Sequence, residues 1–307
     1  MELLKIEGLT KTIRGKTIVN DISLHVDSGE IVGFLGPNGA GKTTTIKMIM
    51  GLFSITAGSI SVCGHDVKTD FEEAMRNVGG IIENPDLYKR MTGRQNLRYF
   101  ASMYGEAALA SIDEVVELVK MSERIDDKIK HYSLGMRQRI GVAQAILHMP
   151  KLLVLDEPTN GLDPIGIKEL RDLLKSLAKN AGVGVLVSSH LLAEMELMCS
   201  RIYVIDNGQI IGEKEISELD SEQTSEIFEY SIISDSDQKV FDYLSGRNTN
   251  CRIENNAVHL VMENSQIPQI VADLVGMGVS IFAFNRMHRT LEEDFISMTE
   301  GSKTQIR

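Results

Sequence analysis

Continuous apolar runs, rather than alternating ones, punctuate the first two-thirds of the chain. "IVGFLG", "LLVLDE" and "VGVLVSSH" are rich in Val and Leu with no polar face, which predicts buried parallel strands. Between them "TTTIKMIMG" sets Ile46, Ile49 and Met50 on one side of a helix, with Gly51 as its stop. From about Pro85 to Met149 the period becomes helical, as in "IDEVVELVKMS", where Ile112, Val115, Val116 and Val119 recur at helical spacing. Strands resume at "LLVLDE". The helical stretch therefore reads as an insertion, at about residues 85–149, into an α/β core.

The texture changes after "IYVIDNGQIIGEKEISEL". Asn207-Gly208 between two apolar runs is a hairpin signal, and the polar "LDSEQTSE" that follows reads as a linker. Beyond it come "IFEYSII", helical "DQKVFDYLSG", "CRIENN" with "AVHLVM", helical "IPQIVADLVGMG" and "VSIFAFN". That order, β-α-β-β-α-β with Asn255-Asn256 turning the central hairpin, predicts a small ferredoxin-like sandwich. "RTLEEDFISMT" adds a final helix. The expected domains are 1–218 and an accessory domain at 219–307. The accessory domain carries no phosphate, metal or nucleophile constellation, so packing or dimer support and effector sensing both remain open for it.

Composition narrows the class. A chain of 307 residues with 43% hydrophobic content can bury two cores. A net charge of -11 and a pI near 5.2 argue against a general nucleic-acid binder, because phosphate-backbone binding is chiefly electrostatic. Cys63, Cys199 and Cys251 stand apart without metal-like spacing, which suits a reducing cytosol. "MELLKIEGLTK" carries Glu2 and Glu7 among its apolar residues, unlike a signal peptide, and no apolar run nears the ~20 residues that span a bilayer. The expectation is an intracellular protein that serves a membrane, if at all, from outside the lipid.

Chemistry enters with "GPNGAGKTT": Gly36, Pro37, Asn38, Gly39, Ala40, Gly41, Lys42, Thr43 and Thr44 match G-x-x-x-x-G-K-[ST] in full. The run follows a strand and opens a helix, as this phosphate loop requires. Its glycines let backbone N–H groups and the helix N-terminus face phosphate oxygens. Lys42 is expected to neutralise the β- and γ-phosphates of a bound nucleotide, and the Thr43 hydroxyl to ligate Mg²⁺. "LLVLDE" supplies a second element. An acid ending a buried strand needs a partner, so Asp156 is expected near Mg²⁺ and Glu157 as the base that orients or deprotonates water.

With these motifs in hand, residues 1 to about 215 resemble the ATP-binding subunit of an ABC (ATP-binding cassette) transporter. "YSLGMRQR", Tyr132 to Arg139, resembles the family's LSGGQ signature in Ser133, Gly135 and Gln138-Arg139. "NGLD", ending at Asp163, stands where the family has its D-loop, and "VLVSSH" ends in His190, the position of the switch histidine that contacts the γ-phosphate. The resemblance implies a P-loop NTPase fold with an inserted helical subdomain, binding ATP and Mg²⁺. It further implies a head-to-tail homodimer in which Ser133 and Gly135 meet the γ-phosphate held by the other subunit. The implied partner is a membrane permease, with the chain peripheral on the inner face of the cell membrane and no nucleic acid bound. Two departures stand out. Ile13 replaces the aromatic that usually stacks on adenine, giving weaker, less oriented contact, and Tyr132, Leu134 and Met136 replace the commoner signature residues.

"GGIIENPDLY" poses a separate question, because Glu83 ends an apolar run and Asn84-Pro85 then turns the chain. It falls at the family's Q-loop glutamine, which touches Mg²⁺ and water and links to the permease. A Glu there resembles the subgroup that exports bacitracin and lantibiotic peptides, so Glu83 is expected to be both catalytic and a metal contact. The bland alternative is a solvated surface acid. The implied activity is ATP hydrolysis driving export of an antimicrobial peptide, giving resistance or immunity. The alternative is a soluble ABC ATPase remodelling a nucleic-acid or ribosomal complex.

Overall fold

The computed structural model describes residues 1–216, 227–247, 249–254 and 257–287. These fall into two compact units, one reaching Ile216 and one spanning the residues beyond it. In the first, the chain runs through β1 (Glu2–Ile13), β2 (Lys16–Asp27), β3 (Ile31–Leu35), α1 (Lys42–Ile49), β4 (Ala57–Val62), β5 (His65–Asp66), α2 (Phe71–Arg76) and β6 (Val78–Ile81). The helical insertion follows as α3 (Gly93–Ala101), α4 (Glu106–Ala110), α5 (Ile112–Leu118) and α6 (Leu134–Ile146). The unit closes with β7 (Leu152–Leu155), α7 (Pro164–Ala181), β8 (Gly184–Ser189), α8 (Leu192–Met198), β9 (Arg201–Asp206) and β10 (Gln209–Glu215).

Two sheets carry this unit. The larger has the order β10-β9-β3-β8-β7-β6, with β9, β3, β8, β7 and β6 parallel and β10 antiparallel at the edge. Every residue of β3, β7 and β8 is buried, the consequence of their unbroken apolar runs. The predicted hairpin appears as β9 and β10, turning through Asn207 and Gly208, both at positive φ. The smaller sheet, β2-β1-β4-β5, is antiparallel throughout. Its first hairpin turns through Arg14-Gly15, also both at positive φ, with Ile13 paired to Lys16. Sequence reading passed over these two long strands. One shared core joins both sheets, from Leu4, Ile6 and Leu24 through Phe34, Ile46 and Ile49 to Val154 and Leu186.

In the second unit the order is β11 (Ile227–Ser234), α9 (Asp237–Gly246), β12 (Cys251–Glu254), β13 (Ala257–Glu263), α10 (Ile267–Gly276) and β14 (Ile281–Met287). The four strands form one antiparallel sheet in the order β12-β13-β11-β14. Its core draws on Tyr230, Ile232, Val258 and Leu260 from the sheet and on Val240, Leu244, Ile270 and Leu274 from the two helices. The expected linker, the Asn255-Asn256 turn and the final helix over "RTLEEDFISMT" lie outside the described residues.

Candidate functional site

Parallel strands deliver their last residues to one edge of the sheet, and the register fixes which residues meet there. Leu35 pairs with Ser189, Leu155 with Val187, and Ile81 with Leu155. The next residues in each chain segment are Gly36, His190, Asp156 with Glu157, and the Glu83 turn. Four separated stretches of sequence thus converge at the carboxyl end of the sheet.

The phosphate loop leaves β3 at Gly36, where a Cβ would stand 2.2 Å from the Ile205 carbonyl oxygen; only glycine fits. Gly41, at φ 114°, turns the loop into α1. The β9–β10 hairpin braces the loop from below, since the Gly208 N–H donates to the Ala40 carbonyl at 2.9 Å. Pro37, Asn38 and Gly39 are exposed, whereas Ala40 and Lys42 are buried and Thr43 and Thr44 half-buried. The Lys42 ammonium, 5% exposed, donates to the carbonyls of Gly36 at 2.6 Å and Pro37 at 3.2 Å. It also lies 3.2 Å from Glu157 Oε1.

Asp156 is 1% exposed, and its carboxylate is satisfied by two hydroxyls. Thr43 Oγ1 donates to Oδ2 at 2.8 Å and Ser188 Oγ to Oδ1 at 2.7 Å. Ser188 also accepts from the Glu157 backbone N–H at 2.9 Å. Glu157 adopts φ 48°, a left-handed conformation that costs a non-glycine residue roughly 1–2 kcal/mol. That turn aims its side chain back over the sheet edge, where His190 Nδ1 donates to Oε2 at 2.8 Å. The carboxylate is therefore held between an ammonium and an imidazole. Sequence reasoning missed Ser188, although a serine inside "VLVSSH" was the available signal.

Glu83 also sits in the left-handed region, at φ 63°. Its carboxylate is exposed and faces Lys47 of α1 at 3.5 Å. Lys47, another residue sequence reading passed over, places its ammonium 5.8 Å from the Phe53 ring centroid. Ile13, at the end of β1, is 38% exposed. Ser133 is the N-cap of α6, which begins at Leu134, and its hydroxyl accepts from the Met136 N–H at 3.2 Å. A Cβ at Gly135 would meet nothing nearer than Leu162 at 3.9 Å, so crowding within the chain does not demand a glycine there. Asp163 caps α7 through the Gly166 N–H at 2.9 Å. Among the described residues no hydrogen bond or ion pair joins Ser133, Gly135 or Asp163 to the phosphate loop. No helix among them is long and apolar enough to cross a membrane.

Comparison with known proteins fits this geometry. The family profile described as ABC transporter matches residues 19–160. The chain is 42% identical to the uncharacterized ABC transporter ATP-binding protein YhcH of Bacillus subtilis (strain 168), over 99% of the chain and 98% of the relative. It is 35% identical to the bacitracin transport ATP-binding protein BcrA of Bacillus licheniformis, over 90% of the chain and 98% of the relative. The lantibiotic transport ATP-binding protein SrtF of Streptococcus pyogenes is 40% identical over 75% of the chain and 98% of its own length. Among solved structures, the ATP-binding subunit of an ABC transporter shares 32% identity and a TM-score of 0.62, covering 70% of this chain and 90% of that one. The chain belongs to the ABC transporter ATP-binding proteins, the subunits that bind and hydrolyse ATP.

Proposed function

We propose that the chain energises export of an antimicrobial peptide of the bacitracin or lantibiotic kind through a separate membrane permease, and so gives resistance or immunity. The observation that carries this finer reading is the carboxylate of Glu83 in the turn just beyond β6, where the family usually has glutamine. Similarity to proteins named for bacitracin and lantibiotic transport supports it. On this reading the chain is cytoplasmic, held at the inner face of the membrane by the permease.

The site residues take these roles. Lys42 exchanges its loop carbonyls for the β- and γ-phosphates of ATP, with backbone N–H groups of the loop and the start of α1, residues 38–44, around them. Thr43 and Asp156 are hard oxygen donors whose oxygens lie 2.8 Å apart, a pair that suits Mg²⁺. Among the described residues no cluster of three or more His, Cys, Asp or Glu could hold a metal alone. Phosphate oxygens and water would complete the set, with Glu83 offering a further oxygen. Bound there, Mg²⁺ supplies neutralising charge to the phosphate oxygens. Glu157 orients the attacking water and takes its proton. His190, donating to Glu157 through Nδ1, fixes that carboxylate and leaves Nε2 to face the γ-phosphate. Ile13 flanks the base. Ser133, Gly135 and Asp163 present a cap hydroxyl, an uncrowded glycine and the D-loop to a second copy, which supports a head-to-tail homodimer with ATP between the subunits.

Glu157→Gln tests the chemistry and the transport together. The variant is expected to bind ATP, hydrolyse it at least ~100-fold more slowly, and accumulate as an ATP-bound dimer. Cells expressing it with the permease are expected to lose peptide resistance. Wild-type turnover in this variant removes Glu157 from the base role. Wild-type cells no more resistant than cells lacking the chain, across bacitracin and several lantibiotics, sink the peptide-export reading.

A further inference from the structure

A cavity of about 130 Å³ opens between the helical insertion and α7. Val119 and Lys120, just past α5, and Arg139 of α6 line one side of it; Glu169, Asp172 and Leu173 of α7 line the other. None of its lining residues is among those proposed to touch ATP, Mg²⁺ or a second copy. Val119 and Leu173 are buried and give it an apolar part. Four charged side chains line it, Lys120 and Arg139 from the insertion and Glu169 and Asp172 from α7. The two signs cancel, and each side carries one of them. Glu117 and Glu123, exposed acids near Lys120 in the chain, are not among the lining residues.

Two features of the insertion side are unfavourable in themselves. Arg139 Nε is buried with no hydrogen-bond partner. The other guanidinium contacts are long: Nη1 donates to the Lys120 carbonyl at 3.5 Å, and Nη2 lies 3.4 Å from Glu169 Oε2. A buried donor left unmet carries its desolvation cost uncompensated. Lys120 sits at φ 54°, in the left-handed region. Its N–H closes the end of α5 on the Glu117 carbonyl at 2.9 Å, a position where helices usually place glycine. A lysine there is strained, and among the described residues its ammonium has no ion-pair partner. On α7, Asp172 is held only by Arg171 at 3.7 Å. Ser176, which also lines the cavity, accepts from Asn180 at 3.1 Å and keeps its own proton for another acceptor.

We propose that this cavity binds a free α-amino acid with a small apolar side chain. Its carboxylate takes the Arg139 Nε–H, the Lys120 ammonium and the Ser176 hydroxyl, the first two being charge-assisted bonds of the stronger kind. Its ammonium lies against Glu169 and Asp172, and its side chain against Val119 and Leu173. The balance of charge selects a zwitterion, since a simple anion or cation answers only one side. Arg139 and Glu169 are 3.4 Å apart, so the two charges of the ligand must sit close together, as they do in an α-amino acid. Size agrees, because a cavity of about 150 Å³ takes one benzene-sized molecule. An occupant that grips both sides fastens α6 of the insertion to α7.

Calorimetry and thermal melts of the full chain with L-alanine and with L-valine test it. Saturable binding and a ligand-dependent rise in melting temperature are expected. Propionate and propylamine, each with one of the two charges, are expected to bind at least ~10-fold more weakly, as is ε-aminocaproate, whose charges lie far apart. Lys120→Gly is the sharpest variant. Glycine relieves the left-handed backbone, so the chain is expected to melt no lower while binding falls at least ~10-fold. Glu169→Gln is expected to weaken binding likewise, and ATP binding retained in both variants is the check on folding. No saturable binding of either amino acid by the wild type overturns the proposal. Binding that survives both variants overturns it by placing the ligand elsewhere. Propionate binding as tightly as alanine overturns it too, and makes the cavity a plain anion site.

Discussion

At the level of single residues, Ser188 ties the Asp156 carboxylate to the Glu157 backbone. Its hydroxyl donates to Asp156 and accepts from the Glu157 N–H, and it is fully buried. Ser188→Ala leaves both groups one partner short, at a cost of about 1–3 kcal/mol for each buried unmet group. The expected result is a lower melting temperature and hydrolysis reduced at least ~10-fold, with ATP still bound through Lys42; Ser188→Thr, which keeps a hydroxyl, is expected to recover much of both. Unchanged turnover in the Ala variant removes Ser188 from the site. Glu83 is a different case, because its ion pair with Lys47 is solvent-exposed and adds little to stability. Any effect of changing it must come through function. Glu83→Gln keeps an oxygen ligand and drops the charge, so hydrolysis is expected to survive in part. Glu83→Ala removes the ligand and is expected to lower both hydrolysis and peptide resistance. The order wild type, Gln, Ala, scored as resistance in cells carrying the permease, identifies a loop residue at work; an Ala variant that protects fully makes Glu83 a surface acid.

At the level of elements, legibility followed the range of the interaction. Runs buried on both faces declared themselves as parallel strands, and glycine with a following lysine declared the phosphate loop, because both patterns are local. The motif residues at the strand ends could then be read as one site, since parallel strands must end together. β1 and β2 escaped notice because their alternation is broken by register shifts, and the packing that selects them comes from β4 and from the core beneath. Ser188 and Lys47 escaped because their partners, Asp156 and Glu83, are 32 and 36 residues away. At the N-terminus of α6, Ser133 is the N-cap, and a cap lost to a non-capping residue costs about 1 kcal/mol. Ser133→Arg also puts bulk and charge where a second copy's γ-phosphate is proposed to dock. The expected variant folds, binds ATP through Lys42, and fails both to dimerise with ATP and to hydrolyse it. Gel filtration that finds an intact ATP-dependent dimer contradicts the sandwich.

At the level of the whole molecule, the described residues hold two hydrophobic cores with no residue in common, one in each unit. One is built from strands of both sheets of the first unit with α1 and α2, the other from β11 to β14 with α9 and α10. Every side chain proposed to touch ATP or Mg²⁺ lies in the first unit. The phosphate loop is braced by the β9–β10 hairpin, and the last backbone bond of that region runs from Ile216 N–H to the Ser200 carbonyl at 2.7 Å. A chain ended near Leu219 keeps that hairpin and all the groups around Lys42, Asp156 and Glu157. It is therefore expected to fold and to bind ATP with affinity close to that of the full chain, read by nucleotide fluorescence or calorimetry. Hydrolysis then separates the two roles open to the C-terminal unit. If that unit supports the dimer, turnover is expected to fall at low protein concentration and recover as concentration rises, because association of the truncated chains is limiting. If it senses an effector, turnover is expected to be independent of concentration and to lose its response to whatever the full chain responds to. A truncated chain that folds, by circular dichroism and thermal melt, yet binds no ATP places part of the nucleotide site beyond residue 219 and moves the domain boundary with it.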